Sequence, residues 1–175
     1  MKEILDKNAL NRVIKRLSRE IVEKNDGLEN VVLIGVRTRG VVVAKRIQKY
    51  LAETEGVELP LGILDITLYR DDILRCDAQV MGTEIDFDIS GKKIVLCDDV
   101  LFSGRTVRAA ISALVSYSAN MGRAERIYLL ELVDRGHREL PFRADFIGKN
   151  IPTSASEKVF VKFEETDGEE GVYLA

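Results

Sequence analysis

The sequence predicts an α/β fold in which a mostly parallel sheet is flanked by helices. Short apolar runs rich in β-branched residues, such as 31–36 and 94–97, have the length and composition of buried parallel strands. Segments with apolar residues at helical spacing alternate with these runs. Such alternation produces parallel strands joined by right-handed crossovers. The length of 175 residues and the lack of a linker-like segment indicate one domain, residues 1–175.

The first half of the chain begins with a strongly amphipathic segment, for which Asn8 is the expected N-cap and Asp26-Gly27 the expected end. A polar, weakly periodic stretch closes this half, and long connections of that kind are usually functional. In order, the expected elements are a helix over 8–25, a strand over 31–36, a helix to about residue 51, a strand over 61–69, and a loop or β-arm over 70–91.

The second half continues the alternation and closes with an edge strand. In order, the expected elements are a strand over 93–97, a helix over 106–118, a strand over 126–133, a short strand over 144–148, an edge strand over 159–163, and a frayed acidic tail.

The composition is that of an ordinary soluble protein, with a net charge of −3. No global excess of positive charge exists, so any nucleic-acid binding must use a local patch. Cys76 and Cys97 lack metal-like or redox-motif spacing, which fits a reducing cytosol and predicts a cytoplasmic protein. No apolar run approaches the length of a membrane span, so no membrane partner is expected.

Two adjacent acids, Asp98 and Asp99, follow the apolar run 94–97, and a small-residue turn then opens a helix. In open α/β sheets, ligands bind at the carboxyl ends of the strands. Free N–H groups at a helix start attract phosphate, and the hydroxyls of Ser103 and Thr106 can complete such a cradle. Carboxylates repel a bare phosphate, so the combination suits a ligand that also offers sugar hydroxyls or a metal. A phosphorylated ribose bound with Mg²⁺ meets both needs.

A second strand–turn–helix spans Gly35 to Gly40. Gly40 lets the backbone approach an anion closely, and Arg39 supplies a fork of donors. The alternative interpretation is a solvated basic turn without a ligand. The position of this turn at the end of an earlier strand favours an anion site.

The segment 94–108 resembles the signature of type I phosphoribosyltransferases, which bind phosphoribosyl diphosphate (PRPP). In that family the paired acids face the ribose hydroxyls, the next loop holds the 5′-phosphate, and the earlier turn holds the diphosphate. The resemblance implies the type I phosphoribosyltransferase fold, with a small hood and a flexible arm. The PRPP-binding residues that it implies are Thr38, Arg39, Gly40, Asp98, Asp99, Phe102, Ser103, Gly104, Arg105 and Thr106.

The arm of this family covers the diphosphate, and residues 68–72 (Leu-Tyr-Arg-Asp-Asp) open the corresponding segment here. The resemblance makes Tyr69 and Arg70 the residues that reach into the site. Closure of such a loop excludes water. The alternative is a solvent-facing acidic turn, which suits Asp72.

Two further strings, 134–141 (Asp-Arg-Gly-His-Arg-Glu-Leu-Pro) and 148–153 (Gly-Lys-Asn-Ile-Pro-Thr), are similar to one subfamily: bifunctional pyrimidine operon attenuators and uracil phosphoribosyltransferases. The similarity runs from the first helix to about residue 163. It implies a hood built from the N-terminal helix region and about 134–165, with Lys149, Asn150 and Ile151 reading the base. Phe102 and Ser103 depart from the subfamily's usual tyrosine and threonine, so any hydrogen bond from the phenol is lost.

The resemblance implies the reaction of uracil and PRPP to UMP and diphosphate. Asp98, Asp99 and Arg39 are the expected catalytic residues, and Mg²⁺ is expected to enter with PRPP, without direct protein ligands. One alternative is a regulator whose nucleotide site is vestigial or only a sensor. Another is a phosphoribosyltransferase for a purine base, because the catalytic motifs do not separate the two kinds of base.

The first helix carries a basic stripe opposite its apolar face. The subfamily resemblance implies a UMP-responsive, RNA-binding attenuator that recognises pyrimidine operon leader RNA, and a homodimer or higher homo-oligomer that doubles the stripe. The alternative is a solvated charged face, and Arg19 stands near the place where the best-matching relatives carry a histidine. The RNA-binding residues so predicted are Arg12, Lys15, Arg16 and Arg19.

Overall fold

The computed structural model describes residues 1–72 and 79–175, with residues 119–121 described by their backbone alone. Its strands and helices are β1 (Lys2–Leu5), α1 (Lys7–Asn25), β2 (Val31–Val36), α2 (Arg39–Glu55), β3 (Leu61–Leu64), a 3₁₀ turn (Thr67–Tyr69), β4 (Lys93–Leu101), α3 (Arg105–Met121), β5 (Arg126–Asp134), β6 (Phe146–Asn150), β7 (Val159–Lys162), α4 (Glu164–Asp167) and β8 (Gly171–Leu174). None of the helices in the described part of the chain is long and apolar enough to cross a membrane.

A five-stranded sheet forms the centre of the molecule, with the strand order β3-β2-β4-β5-β6. All four of its strand pairs are parallel, so the carboxyl ends of the strands lie along one edge. The α/β prediction is therefore confirmed. A second, antiparallel sheet combines β1, β8 and β7.

Two apolar clusters cover the two faces of the central sheet. Helices α1 and α2 bury one cluster, to which α1 contributes Leu10, Ile14, Leu17 and Ile21 at helical spacing. Helix α3 buries the other cluster, against Ile94, Leu96 and Leu129 among others. The strands are buried on both faces because helices cover both, which explains their nearly continuous apolar sequences.

Helix α1 begins earlier than the sequence suggests. Asp6, not Asn8, is the N-cap, and its Oδ1 accepts a hydrogen bond from the Ala9 amide at 2.7 Å. Asn8 lies inside the first turn. Both residue types cap helices well, so local sequence did not separate them. The predicted end at Asp26 is confirmed, since Asp26 takes the left-handed conformation with φ 52°.

The expected frayed acidic tail is wrong. Residues after Lys162 form α4 and then β8, which pairs with both β1 and β7. Glu165 and Glu170 both bind the guanidinium of Arg46 on α2, and Val172 is fully buried. The acids are therefore ion-pair partners for a distant helix, which no local pattern could reveal.

Several strand boundaries differ from the expected ones. The strand expected over 61–69 ends at Leu64, because Asp65 accepts hydrogen bonds from the following turn and redirects the chain. The strand expected over 144–148 begins at Phe146, and Asp145 instead accepts a hydrogen bond from the Leu129 amide at 2.9 Å. Strand β4 runs on to Leu101, paired with β5 to its end, so it includes the two acids.

The segment expected as an arm over 70–91 divides into two parts. Ile85 and Ile89 are buried in the cluster beneath α3, and Glu84 forms an antiparallel bridge with Ile63. Residues 84–89 therefore belong to the body of the domain. Residues 73–78, including Cys76, lie outside the described residues.

Candidate active site

Loops from four parallel strands converge at the carboxyl edge of the central sheet. The turn after β2, the acids of β4, the loop 134–140 after β5 and residues 149–151 at the end of β6 meet there. Gly40 lets α2 start directly against β4, since a side-chain carbon at this position would overlap the carbonyl oxygen of Cys97. A glycine expected to approach an anion thus also has a packing role, and it places the turn next to the acids.

Asp98 and Asp99 form the centre of this edge. Asp98 is 8% exposed, and its Oδ1 accepts a hydrogen bond from the Asp99 amide at 2.9 Å. Burial, and next the charge of Asp99, raise the pKa of Asp98 well above its usual range. Burial also raises the pKa of Asp99, while the nearby charge of Arg39 acts in the opposite direction. The pair therefore holds protons more readily than free carboxylates, and bringing cationic or hydrogen-bond-donating groups close favours its ionised form.

The turn before α2 presents Thr38 and Arg39 beside the acids. Thr38 is exposed, and Arg39 is half-buried. The Arg39 guanidinium binds the Asp167 carboxylate of α4, with Nε at 3.3 Å from Oδ2. Burial acts to raise the pKa of Asp167, but hydrogen bonds from Arg39, the Phe163 amide and Thr166 lower it to about 2. Arg39 is thus held at the edge by an acid from the C-terminal segment.

The loop after β4 forms the start of α3. Gly104 has φ +92°, a conformation that favours glycine, and Leu140 and Phe142 pack against it. The Ser103 carbonyl accepts hydrogen bonds from the Glu139 and Leu140 amides, both at 2.9 Å. These contacts fix the loop against the segment after β5 and leave the first turn of α3 facing the edge. Such a helix start suits an anion.

Within this loop, the side chains of Ser103, Arg105 and Thr106 have different surroundings. The Ser103 hydroxyl accepts a hydrogen bond from the Arg105 amide at 3.3 Å. Arg105 binds Glu139 at 2.7 Å and Asp71 at 3.0 Å. Thr106 lies half-buried in the first helical turn. Of the three, Arg105 is already paired with carboxylates of two other segments.

Phe102 belongs to an aromatic and cationic stack that sequence reasoning did not foresee. The Arg135 guanidinium lies 4.0 Å from the centre of the Phe102 ring, and the His137 ring meets the same ring edge-on. Arg135 is itself 7% exposed and donates to the Glu157 carbonyl at 2.6 Å. The stack gives the Phe102 ring a packing role beside the loop.

The described part of the arm begins at Tyr69 and Arg70. The Tyr69 carbonyl accepts a hydrogen bond from Arg108 of α3 at 2.6 Å. Arg70 makes a two-pronged ion pair with Asp72, with distances of 2.8 and 2.6 Å. Its charge also lowers the pKa of Asp98, against the larger effect of burial. Arg70 is thus close enough to the acid pair to act on it electrostatically.

Asp65 closes the base of the arm. Its carboxylate accepts hydrogen bonds from the Thr67 amide and hydroxyl on one side and from the Met81 and Gly82 amides on the other. Burial acts to raise the pKa of Asp65, yet these donors lower it to about 2. Arg37 adds a bond to the Gly82 carbonyl at 3.0 Å, which joins the arm to the turn after β2.

The expected base-reading residues lie at the end of β6, beside the end of β5. The Ile151 amide donates to the Asp134 carbonyl at 2.9 Å, so that N–H is already used. Lys149 and Asn150 are exposed, and Ile151 is buried. The side chains of Lys149 and Asn150 and the carbonyl of Ile151 therefore remain for a base.

The residues of the predicted basic stripe of α1 fall into two groups in the structure, according to their contacts. Arg12, Lys15 and Arg19 are exposed, and Lys15 and Arg19 lie 5.9 and 5.6 Å from the centre of the Tyr50 ring of α2. Arg12, Lys15 and Tyr50 also line an open cavity of about 840 Å³, to which α2 and the C-terminal segment contribute the acids Glu53, Glu164, Glu165 and Glu170. Arg16 differs, because it pairs with Glu20 and donates to the Ile147 carbonyl at 3.2 Å and to the Gly148 carbonyl. It joins α1 to β6.

The residues of the edge also bear on the expected magnesium. Within the described ranges, no group of three or more His, Cys, Asp or Glu side chains is arranged to hold a metal ion. The oxygen chemistry of the acid pair beside a helix start nevertheless suits a ligand that brings Mg²⁺ on its own phosphates, since Mg²⁺ is commonly held through substrate phosphates.

Similarity to known proteins extends over nearly the whole chain. A family model of the phosphoribosyl transferase domain matches residues 1–165. The bifunctional protein PyrR of Caldicellulosiruptor bescii is 57% identical over 175 residues, covering 99% of this chain and 94% of that protein. The bifunctional protein PyrR of Thermus thermophilus is 55% identical over 174 residues, covering 98% and 94%.

Solved structures with a similar fold have more distant sequences. The hypoxanthine phosphoribosyltransferase of Trypanosoma cruzi is 18% identical, with a TM-score of 0.72 over 99% of this chain and 95% of that one. A hypoxanthine-guanine phosphoribosyltransferase of Bacillus anthracis is 17% identical, with a TM-score of 0.70 over 98% and 96%. These two likenesses confirm the fold and do not bear on the base. Together with the near full-length sequence matches, they show that this chain belongs to the phosphoribosyl transferase family and, within it, to the bifunctional PyrR proteins.

Proposed function

We propose that the protein transfers a phosphoribosyl group from PRPP to uracil, giving UMP and diphosphate, and that it regulates pyrimidine genes by binding their leader RNA. One observation carries the enzymatic part: a buried acid pair, a basic turn and a helix start lie together at the carboxyl edge of one parallel sheet. The acids suit ribose hydroxyls, the turn suits a diphosphate, and the helix start suits a 5′-phosphate.

The acid pair has two tasks in the reaction. Ionised Asp98 and Asp99 accept hydrogen bonds from the ribose hydroxyls and so orient the sugar. Breaking the bond between the anomeric carbon and diphosphate builds positive charge on the ribose ring, and carboxylates beside it stabilise that charge. No covalent intermediate with the protein is needed.

The leaving diphosphate gathers negative charge at the turn after β2. Arg39 and the hydroxyl and backbone of Thr38 bind it there, and Arg39 exchanges its bond to Asp167 for the phosphate oxygens. Mg²⁺ entering with PRPP would need no direct protein ligand here, and it would supply charge neutralisation beside Arg39 and the acid pair. Tyr69 and Arg70 close over the site and keep water from the activated sugar.

Uracil binds between the acid pair and the end of β6, where Lys149, Asn150 and Ile151 lie. A base there meets the Lys149 side chain and the Ile151 carbonyl, which is an acceptor for a uracil N–H. The purine alternative requires more room at the same place.

A panel of bases tests this assignment. The protein is incubated with PRPP, Mg²⁺ and, in separate reactions, uracil, cytosine, hypoxanthine, guanine or adenine, and the nucleotide product is measured. We expect UMP as the main product. Faster conversion of hypoxanthine or guanine would establish the purine alternative, and no product with any base would leave only a sensing site.

The regulatory part rests on the exposed cations Arg12, Lys15 and Arg19 around the Tyr50 ring. Cations contact phosphates, and an aromatic ring offers a surface on which an unpaired base stacks, which is how proteins read RNA loops. A homodimer or higher homo-oligomer doubles this surface, and the setting is the cytoplasm. We expect the protein's own leader hairpin to bind more tightly than a scrambled hairpin at physiological salt, and UMP to increase the difference.

A further inference from the structure

Glu131, in the middle of β5, is a fully buried acid with no partner. It is 0% exposed, and among the described residues neither carboxyl oxygen makes a hydrogen bond. Its register partners are Asp98 on β4 and Ile147 on β6. Neighbouring strands lie about 4.8 Å apart, and directly paired residues point to the same face. Glu131 therefore lies beside Asp98 on one side and beside the apolar side chain of Ile147 on the other.

The charged groups around Glu131 are mostly negative. Asp98 lies directly beside it on β4, Asp99 is the next residue of that strand, and Asp134 lies on its own strand, where Arg138 pairs with Asp134 at 2.6 Å. Burial, and next the charges of Asp98 and Asp99, raise the pKa of Glu131 well above its usual range. Helix α3 covers this face mainly with apolar residues.

The cations of α3 do not relieve this excess of negative charge. Arg105 pairs with Glu139 and Asp71, and Arg108 donates to the Tyr69 carbonyl. The Cys97 thiol on β4 also stays neutral, because burial raises its pKa. Full burial without a partner or a free cation nearby in the described ranges favours the neutral form of Glu131, and the O–H of that form needs an acceptor.

We propose that Glu131 is a positioning residue for the reaction: as a neutral acid it keeps its proton and donates a hydrogen bond from its O–H to Asp98, so that Asp98 meets the ribose as a carboxylate. A neutral donor stabilises an ionised neighbour, whereas a second carboxylate would disfavour it. The inference rests on the proposed transferase function and adds to it a group that does not touch the substrate.

Two substitutions at position 131 distinguish the effect of a hydrogen-bond donor from the effect of a charge. Glu131→Gln keeps a neutral donor of similar shape, and Glu131→Leu removes the donor without adding charge. Asp98 should then ionise less readily only in the leucine variant. We expect the acidic limb of kcat/KM against pH to move up by at least about one pH unit in Glu131→Leu and to stay in place in Glu131→Gln.

The alkaline limb of the kcat/KM profile against pH provides a second test. This test does not depend on the folding of Glu131→Leu. As pH rises through its raised pKa, wild-type Glu131 ionises beside Asp98, and kcat/KM should fall. Glu131→Gln cannot ionise, so that fall should disappear. Glu125→Gln, the same change at an exposed position just before β5, is the matched control and should follow the wild type.

Infrared spectroscopy tests the protonation state without turnover. We expect the wild type at neutral pH to show the carbonyl band of a protonated carboxylic acid and Glu131→Gln to have lost it. The proposal would be overturned if the wild type and Glu131→Gln showed the same carbonyl bands. It would also be overturned if both variants, Glu131→Gln and Glu131→Leu, kept the wild-type dependence of kcat/KM on pH. A protein inactive with every base would instead contradict the proposed function, and the infrared result would still decide the state of Glu131.

Discussion

The carboxyl edge of the sheet and the outer face of α1 both carry several arginines, but they hold them differently. At the edge, each of four arginines is bound to a carboxylate: Arg39 to Asp167, Arg70 to Asp72, Arg105 to Glu139 and Asp71, and Arg138 to Asp134. On α1, Arg12, Lys15 and Arg19 make no ion pair within the part of the chain that the structure describes.

This difference indicates two modes of ligand binding. At the edge, a phosphate that bound one of these arginines would have to replace a carboxylate, so we expect geometry to decide which anion binds. On α1 the cations are free to meet any polyanion, and their contribution is long-range and screened by salt. We therefore expect substrate binding to depend on individual contacts and RNA binding to depend on ionic strength.

The largest effect is expected from the double substitution Asp98→Asn, Asp99→Asn. It removes the charge that faces the developing positive ribose and leaves the shape of the site, so kcat and kcat/KM should fall together by roughly 10²-fold or more. Steady-state kinetics with uracil and PRPP measures this. Turnover near the wild-type rate would remove the acid pair from the mechanism.

The next largest effect is expected on stability, from a substitution at the base of the arm. Asp65→Ala removes the acceptor of four hydrogen bonds, and bonds to a charged group contribute roughly 1.5–3 kcal/mol, so we expect a loss of about 2 kcal/mol in the free energy of unfolding at pH 7. Denaturant titration measures it.

The loss of stability caused by Asp65→Ala should depend on pH. The folded pKa of Asp65, about 2, lies below its ordinary value of 3.8, so its contribution is complete above about pH 4. It is lost as pH falls from about 4 to about 2. A difference between wild type and variant that persists unchanged at pH 2 would contradict this assignment.

The turn after β2 is tested by Thr38→Ala with Arg39→Ala. Charge-assisted bonds to the diphosphate are lost, so PRPP and diphosphate should bind roughly 10-fold more weakly or worse, while UMP, which has no diphosphate, should bind nearly as before. Calorimetry with the three ligands makes the comparison. An equal loss for all three would mean that the turn is structural.

The smallest effect concerns the face of α1. Arg12→Ala, Lys15→Ala and Arg19→Ala together should flatten the dependence of RNA affinity on salt by up to roughly one unit per lost phosphate contact and leave uracil transfer unchanged. Arg16→Ala is the comparison, since Arg16 is bonded to β6 and should affect stability more than the salt dependence. If the triple variant keeps the wild-type slope, RNA does not use this face.

The parts of the site that could be predicted are those formed by residues that are contiguous in the sequence. Apolar runs ending in acids and a small-residue turn before a helix specify a strand, a carboxylate pair and an anion-binding helix start within fifteen residues. The parts that could not be predicted join distant residues. The Arg39–Asp167 pair spans 128 positions, and the Arg135–Phe102 stack depends on how two loops after neighbouring strands meet.

Periodicity and composition by themselves determined the α/β class, the order of the main elements and the edge at which we expect the ligand to bind. Only the tertiary structure decided that the acidic tail is bound to Arg46, that Asp65 closes the arm, and that Glu131 lies beside Asp98. The reason is physical: local sequence sets backbone preference and apolar faces, whereas the charge state and partners of an ionisable group depend on burial and on neighbours supplied by other strands.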